Sequence, residues 1–195
     1  MSLVRYRRNL PHIFPKHTPI FVTWRLKGSV PMSVVIAARK SAETTGKRFV
    51  SVDRYLDTNL IGPRWLGDRR IAEMLCIEIE RGATQLPVEY VLHEYVVMPN
   101  HVHLFITPVI PMNEIMQRLK GNSARFANTI LGREDKAFWQ QESFDHFSRN
   151  VHEFGKIRGY IARNPVKAGL AMTADEWPWS SAHRRKTSSV GGERG

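Results

Sequence analysis

The chain has 195 residues, enough for one domain with a proper core, and 42% of them are hydrophobic, which excludes wholesale disorder. Lysine and arginine total 29 against 18 acidic residues, and the resulting charge of +11 points to a polyanionic partner, nucleic acid first. No apolar run approaches the ~18 residues of a membrane span, the N-terminus lacks a secretion-signal core, and the lone Cys76 excludes an internal disulfide or a cysteine-based zinc site. These features predict a protein of the reducing cytoplasm, with no membrane partner.

Residues 1–19 are basic and carry Pro11, Pro15 and Pro19, so they read as an arm without regular structure. Ile20 to Leu26 is rich in β-formers and reads as the first strand. Gly28 and Pro31 punctuate, and a helix is expected over Met32 to Thr44. Val50 to Gly67, with Gly62, Pro63 and Gly67, reads as a loop. Asp68 is placed to cap a helix over Arg69 to Arg81, whose buried side is marked by Ile71, Leu75 and Ile79. Val88 to Met98 forms a second strand, Pro99-Asn100 a tight turn, and His101 to Thr107 a returning third strand. A helix from Met112 to Leu131 follows, then a short aromatic segment over 138–149. The last helix runs from Val151 to Asn164, where Pro165 is expected to end it. The Ser/Gly/Arg-rich tail from Arg184 onward reads as disordered. The order of elements predicts an α+β fold with an antiparallel sheet, organised as one domain over 1–183 and a basic tail over 184–195.

Chemistry concentrates in the hairpin. In a strand, His101, His103 and Phe105 share one face while the apolar Val102, Leu104 and Ile106 share the other. Two adjacent imidazoles can grip a metal ion, but a third donor must come from elsewhere. The spacing alone leaves a plainer reading open, in which the histidines merely occupy the exposed face of a strand. On the last helix Tyr160 and Asn164 lie four apart, hence on one side, whereas Phe154, Ile157 and Ile161 mark an apolar side for packing. An amide oxygen from Asn164 could complete the metal site beside Tyr160. Tyrosine is a poor nucleophile near neutral pH and needs an activated electrophile, such as a phosphate bound to a cation.

The run Tyr95-Val-Val-Met-Pro-Asn-His-Val-His-Leu-Phe-Ile, then Trp139-Gln, Phe144-Asp-His, Arg149 and Tyr160-Ile-Ala-Arg-Asn-Pro-Val-Lys-Ala-Gly-Leu170, resembles the single-tyrosine HUH transposases. Within them it resembles most the REP-associated tyrosine transposases, the IS200-like branch linked to repeated extragenic palindromes. The resemblance covers roughly residues 20–182. It implies a ferredoxin-like antiparallel sheet with helices packed on it. It also implies that His101 and His103 are metal ligands, Asn164 the third ligand, and Tyr160 the nucleophile that leaves a 5′-phosphotyrosine and a free 3′-hydroxyl. The implied cofactor is Mg²⁺ or Mn²⁺, and the implied partner is single-stranded or hairpin DNA such as REP-like palindromes, engaged by a monomer or homodimer at the nucleoid. Relatives vary at the third ligand, and the stretch 54–86 is longer than a minimal core, either an insertion or extra scaffold.

For DNA held beside the site, Lys120, Ser123 and Arg125 are the predicted contacts on the Met112–Leu131 helix. Arg5, Arg7, Arg8 and Lys16 of the arm and Arg184, Arg185 and Lys186 of the tail are predicted phosphate contacts that carry little sequence information. Trp177 and Trp179 read as packing that pins the C-terminus, and His146 as a residue ordering the 138–149 segment. Three functions are consistent with this sequence: a strand-transferring nuclease, a domesticated architectural or regulatory DNA-binding protein, and a zinc hydrolase that leaves Tyr160 idle.

Overall fold

The computed structural model describes residues 3–8, 10–15, 17–31, 33–34, 36–37, 52–57 and 62–191, with side chains only between positions 17 and 187. The predicted helix over Met32–Thr44 lies mostly outside the described residues.

Four strands make the main sheet. After a two-stranded N-terminal ribbon of β1 (Leu3–Arg8) and β2 (Leu10–Pro15), the chain enters β3 (Ile20–Arg25), and later β4 (Tyr90–Val97), β5 (His101–Pro108) and β6 (Phe144–Phe147). Their order is β4-β5-β3-β6, with every pairing antiparallel. Helices α1 (Arg69–Thr84) and α2 (Met112–Ile130) fill the two crossovers, β3 to β4 and β5 to β6. This is the β-α-β-β-α-β order of a ferredoxin-like sheet, as expected. Among the described residues no helix is long and apolar enough to cross a membrane.

The sheet separates two interiors. Val22 and Trp24 of β3, Val102, Leu104 and Ile106 of β5, and Tyr95 and Val97 of β4 point towards α1 and α2. There they meet Ile71, Leu75, Ile79, Ile115 and Leu119, spaced four apart within each helix so that each helix offers one apolar stripe. Asp68 caps α1 by accepting from the Arg70 N–H. The helix within the 54–86 stretch is thus scaffold for the main core. Tyr90 and Tyr95 share this interior despite their odd spacing, because a β-bulge between Leu92 and Glu94 shifts the alternation by one. The opposite face offers Phe21, Val96, Met98 and Phe105 to α3 (Val151–Ala162), which packs there through Ile157 and Ile161. Asn150 caps α3 by accepting from the Glu153 N–H, and Glu153 in turn meets His146, which ties β6 to that helix.

Four sequence expectations need correction. The N-terminal arm forms the β1–β2 ribbon, with Arg7 facing Pro11 and Leu3 facing Pro15. Prolines four apart direct their missing N–H groups to the same edge of a strand, and a two-stranded ribbon has an open edge that tolerates this. The loop expected over Val50–Gly67 contains a helical segment at 52–57 and a 3-10 turn at Trp65–Gly67. Pro165 does not end the helical path: α4 (Asn164–Lys167) starts directly after Arg163, with Pro165 in its first turn, where a missing N–H costs nothing. The tail forms α5 (Ser181–Gly191). Arg184 pairs with Glu73 (2.7 Å), Arg185 with Glu94 (2.9 Å) and Lys186 with Asp175 (2.6 Å), so carboxylates distant in sequence recruit the tail's positive charge.

Candidate metal and tyrosine site

The hairpin turn sets the site. Pro99-Asn100 reverses the chain and the Met98 N–H donates to the His101 carbonyl at 2.9 Å, so the histidines begin the returning strand. Alternation sends His101 and His103 to the α3 side of the sheet, and both are fully buried, which excludes the exposed-strand reading. Each ring is held at Nδ1. The Asn100 side chain donates to the Leu56 carbonyl at 2.9 Å, which turns its Oδ1 to accept from His101 Nδ1 at 2.7 Å. Thr23, opposite His103 in the ladder, meets His103 Nδ1 at 2.7 Å. The two Nε2 atoms converge at 3.0 Å. Burial holds His101 down to about 3 and His103 well below its ordinary value, so both rings are neutral. Two neutral imidazoles so placed share at most one proton, whereas a cation takes both lone pairs.

The helical segment 52–57 supplies the acid. Asp53 is 1% exposed, and its Oδ1 lies 3.4 Å from His103 Nε2 and 3.8 Å from His101 Nε2. Asp57, one helical turn on, reaches 3.8 Å from His101 Nε2. Burial, then the neighbouring Asp57, pushes Asp53 up to about 8, against the pull of Lys167 and Asn164; burial pushes Asp57 up to about 7. The Tyr160 hydroxyl donates to Asp53 Oδ2. The Tyr160 ring stands edge-on to Phe21 at 6.1 Å and to His103 at 5.7 Å, so α3 delivers the phenol onto the carboxylate.

The predicted residues therefore meet: His101, His103, Tyr160 and the fully buried Asn164 surround one point, together with the unpredicted Asp53. Their chemistry fits a divalent cation. One donor atom each from Asp53, His101 and His103 lies within 4.8 Å of the others. Asp53 Oδ1 and both polar atoms of the Asn164 side chain are buried without a conventional hydrogen-bond partner, and a cation would satisfy the oxygens. The sequence signal for Asp53 was faint: two aspartates four apart beside the apolar Leu56, within a segment whose glycines and proline suggested a loop.

The predicted DNA contacts fare differently. Ser123 is fully buried, donates to the Leu119 carbonyl and accepts from Trp139 Nε1 at 2.9 Å, so it serves the core and is closed to DNA. Lys120 donates to the carbonyls of Gln140 (2.8 Å) and Gln141 (3.1 Å). Arg125 is exposed and bonds Asn122 at 2.7 Å. Arg7 and Arg8 lie in β1, with side chains outside the described residues, as is Lys16. Arg184 and Arg185 stand on α5 in the ion pairs given above. Trp177 and Trp179 pack as expected: Trp177 Nε1 donates to the Val97 carbonyl at 2.9 Å, and the Trp179 carbonyl accepts from the Val97 N–H at 2.8 Å.

Residues 79–164, which hold the hairpin, the histidine pair and the tyrosine helix, match the family described as "Transposase IS200 like". That stretch of the chain is similar to the IS200-like transposases. The chain is 28% identical over 93 residues to the REP-associated tyrosine transposase of Escherichia coli K12, covering 48% of this chain and 54% of that protein. It is 25% identical over 101 residues to a putative REP-associated tyrosine transposase of Haemophilus influenzae, covering 45% and 56%. The chain thus spans about half the length of the curated relatives it matches. Its fold is similar to a solved REP-associated tyrosine transposase bound to a REP hairpin, with a TM-score of 0.55, 20% identity, and 94% of this chain and 84% of that one covered.

Proposed function

We propose that this IS200-like protein cleaves and rejoins single-stranded DNA beside a hairpin or palindromic repeat, through a 5′-phosphotyrosine on Tyr160. The observation that carries this reading is the convergence of a tyrosine hydroxyl, a buried carboxylate and two neutral histidine nitrogens on one point. A zinc hydrolase would have no use for Tyr160 there, and a passive binder would have no use for the histidine pair.

The residues divide the work. Tyr160 Oη attacks the phosphorus, its bond to phosphorus forms as the P–O3′ bond breaks, and the 3′-oxygen leaves and takes a proton from solvent to become a hydroxyl. Asp53 Oδ2 already accepts the phenol's hydrogen bond and is the atom placed to receive its proton. Phe21 and His103 fix the ring, which limits the orientations from which the phenol can attack. His101, His103 and Asp53, with Asn164 adjoining, would hold a divalent cation, which would supply charge neutralisation at the phosphate. Two imidazoles make the donor set softer than an all-oxygen site, which favours Mn²⁺ over Mg²⁺. The ester keeps the energy of the cleaved bond, so a 3′-hydroxyl can rejoin it without ATP. Arg7, Arg8 and Arg125 are the proposed phosphate contacts for flanking DNA.

The test is direct: incubate the protein with Mn²⁺ and a labelled hairpin oligonucleotide carrying single-stranded flanks, then look for a protein–DNA adduct that survives denaturation. The adduct should form, and Tyr160→Phe should abolish it. Cleavage that persists in Tyr160→Phe, or binding with no cleavage under any metal, would overturn the proposal.

A further inference from the structure

The sequence after the tyrosine helix contains a charge that the site does not yet account for. Lys167 closes α4, the short helix that resumes where α3 stops at Arg163. Seven residues are two helical turns, so Lys167 returns to the side of the path that carries Tyr160. Helical side chains lean towards the N-terminus, which sends the lysine stem back over the phenol. Its Nζ lies 4.2 Å from the centre of the Tyr160 ring. Gly169 follows at φ +68°, a left-handed turn that ends the helix just beyond the lysine.

Three features make this more than a surface lysine resting on an aromatic ring. Its charge lowers the pKa of Asp53, Asp57 and His103, so the cation that rests on the Tyr160 ring is also near the metal-binding groups. Among the described residues it nevertheless closes no ion pair with either aspartate, and its ammonium donors remain available to an incoming group. Lys167 is also exposed, unlike the buried histidines and Asp53, so a strand entering from solvent meets it before the ring.

We infer that Lys167 is a catalytic residue of this site, binding a non-bridging oxygen of the phosphate that Tyr160 attacks and remaining there on the phosphotyrosine. The inference rests on the proposed tyrosine chemistry. Lys167 neutralises charge that builds on the phosphoryl oxygens while the Oη–P bond forms and the P–O3′ bond breaks. A point charge on a flexible stem suits this task, since it follows the phosphate as the phosphorus inverts.

The experiment measures the rate of adduct formation at saturating hairpin oligonucleotide and Mn²⁺, for the wild type, Lys167→Ala and Lys167→Arg, with Mn²⁺ affinity measured separately by calorimetry. Lys167→Ala should slow adduct formation about 100-fold, on the scale of losing one charge-stabilising donor. Lys167→Arg should recover most of that loss, and Mn²⁺ affinity should stay level or rise in Lys167→Ala. An adduct rate within about twofold of wild type in Lys167→Ala, or Lys167→Arg no faster than Lys167→Ala, would overturn the inference while leaving the tyrosine reading intact. Failure of the wild type itself to form an adduct would overturn both.

Discussion

The two faces of the sheet are equally dry but differ in composition. The face towards α1 and α2 is mostly apolar, and most of its polar groups are answered: Tyr90 donates to the Ile79 carbonyl at 2.6 Å and Trp139 to Ser123, while Trp24 Nε1 has no conventional partner among the described residues. The face towards α3 hides two histidines, Asp53 and Asn164 among Phe21, Phe105 and Ile161, and several of their polar atoms have no conventional partner. Burying polar groups in this way opposes folding. The first face therefore stabilises the fold and the second draws on that stability, as expected for the cation and phosphate site proposed above.

The sharpest way to break this contrast is Tyr160→Phe. Adduct formation should vanish, while stability falls by only about 1–3 kcal/mol, because Asp53 Oδ2 loses its phenol donor; a much larger loss would show that Tyr160 belongs to the scaffold. The converse change is Leu75→Ala on α1, fully buried in the apolar face. It should cost about 2–5 kcal/mol in denaturant unfolding and leave Mn²⁺ affinity of the folded protein unchanged.

Asp53→Asn probes the second face through pH. In the metal-free protein Asp53 is pushed up to about 8, so it stays protonated when folded and ionises when unfolded. Its contribution to stability is complete below the unfolded carboxylate range and is lost as pH rises towards 8. His101, held down to about 3, contributes in the opposite sense: its stability is present above the ordinary histidine range and is lost as pH falls. Between about pH 6.5 and 8 only carboxylate terms remain, the larger from Asp53, on the order of 2 kcal/mol, and a smaller one from Asp57, which burial pushes up to about 7. Asp53→Asn should remove most of that decline and weaken Mn²⁺ binding at least about tenfold; a decline undiminished in the variant would assign it to another group. The smallest effect expected is for Ser123→Ala, about 1–3 kcal/mol from stranding Trp139 Nε1, with hairpin affinity unchanged.

The parts of this molecule that could be read from its sequence are those whose signals are local. Alternation in His101–Ile106, the four-residue spacing on α1 and the cap at Asp68 specify their elements without help from distant residues. Tyr160 and Asn164 were legible because one helix carries both. Asp53 was not, since its meaning comes from Asn100 of the hairpin turn, distant in sequence, holding the Leu56 carbonyl. The tail failed for the same reason: Arg184 and Arg185 read as phosphate contacts on a disordered tail until Glu73 and Glu94 are brought beside them by folding. Ser123 shows the opposite error, a polar residue assigned to DNA that a tryptophan claims from inside. The bulge between Leu92 and Glu94 leaves no local signature, yet it allows Tyr90 and Val97 to share one interior.

The claim that matters most is that His101, His103 and Asp53 hold one divalent ion against Tyr160. Crystals grown with Mn²⁺, measured for manganese anomalous scattering, test it without reference to activity. A single peak bounded by Nε2 of both histidines and the Asp53 carboxylate is the predicted result. A peak elsewhere, or none with the two imidazoles still facing each other, would contradict it.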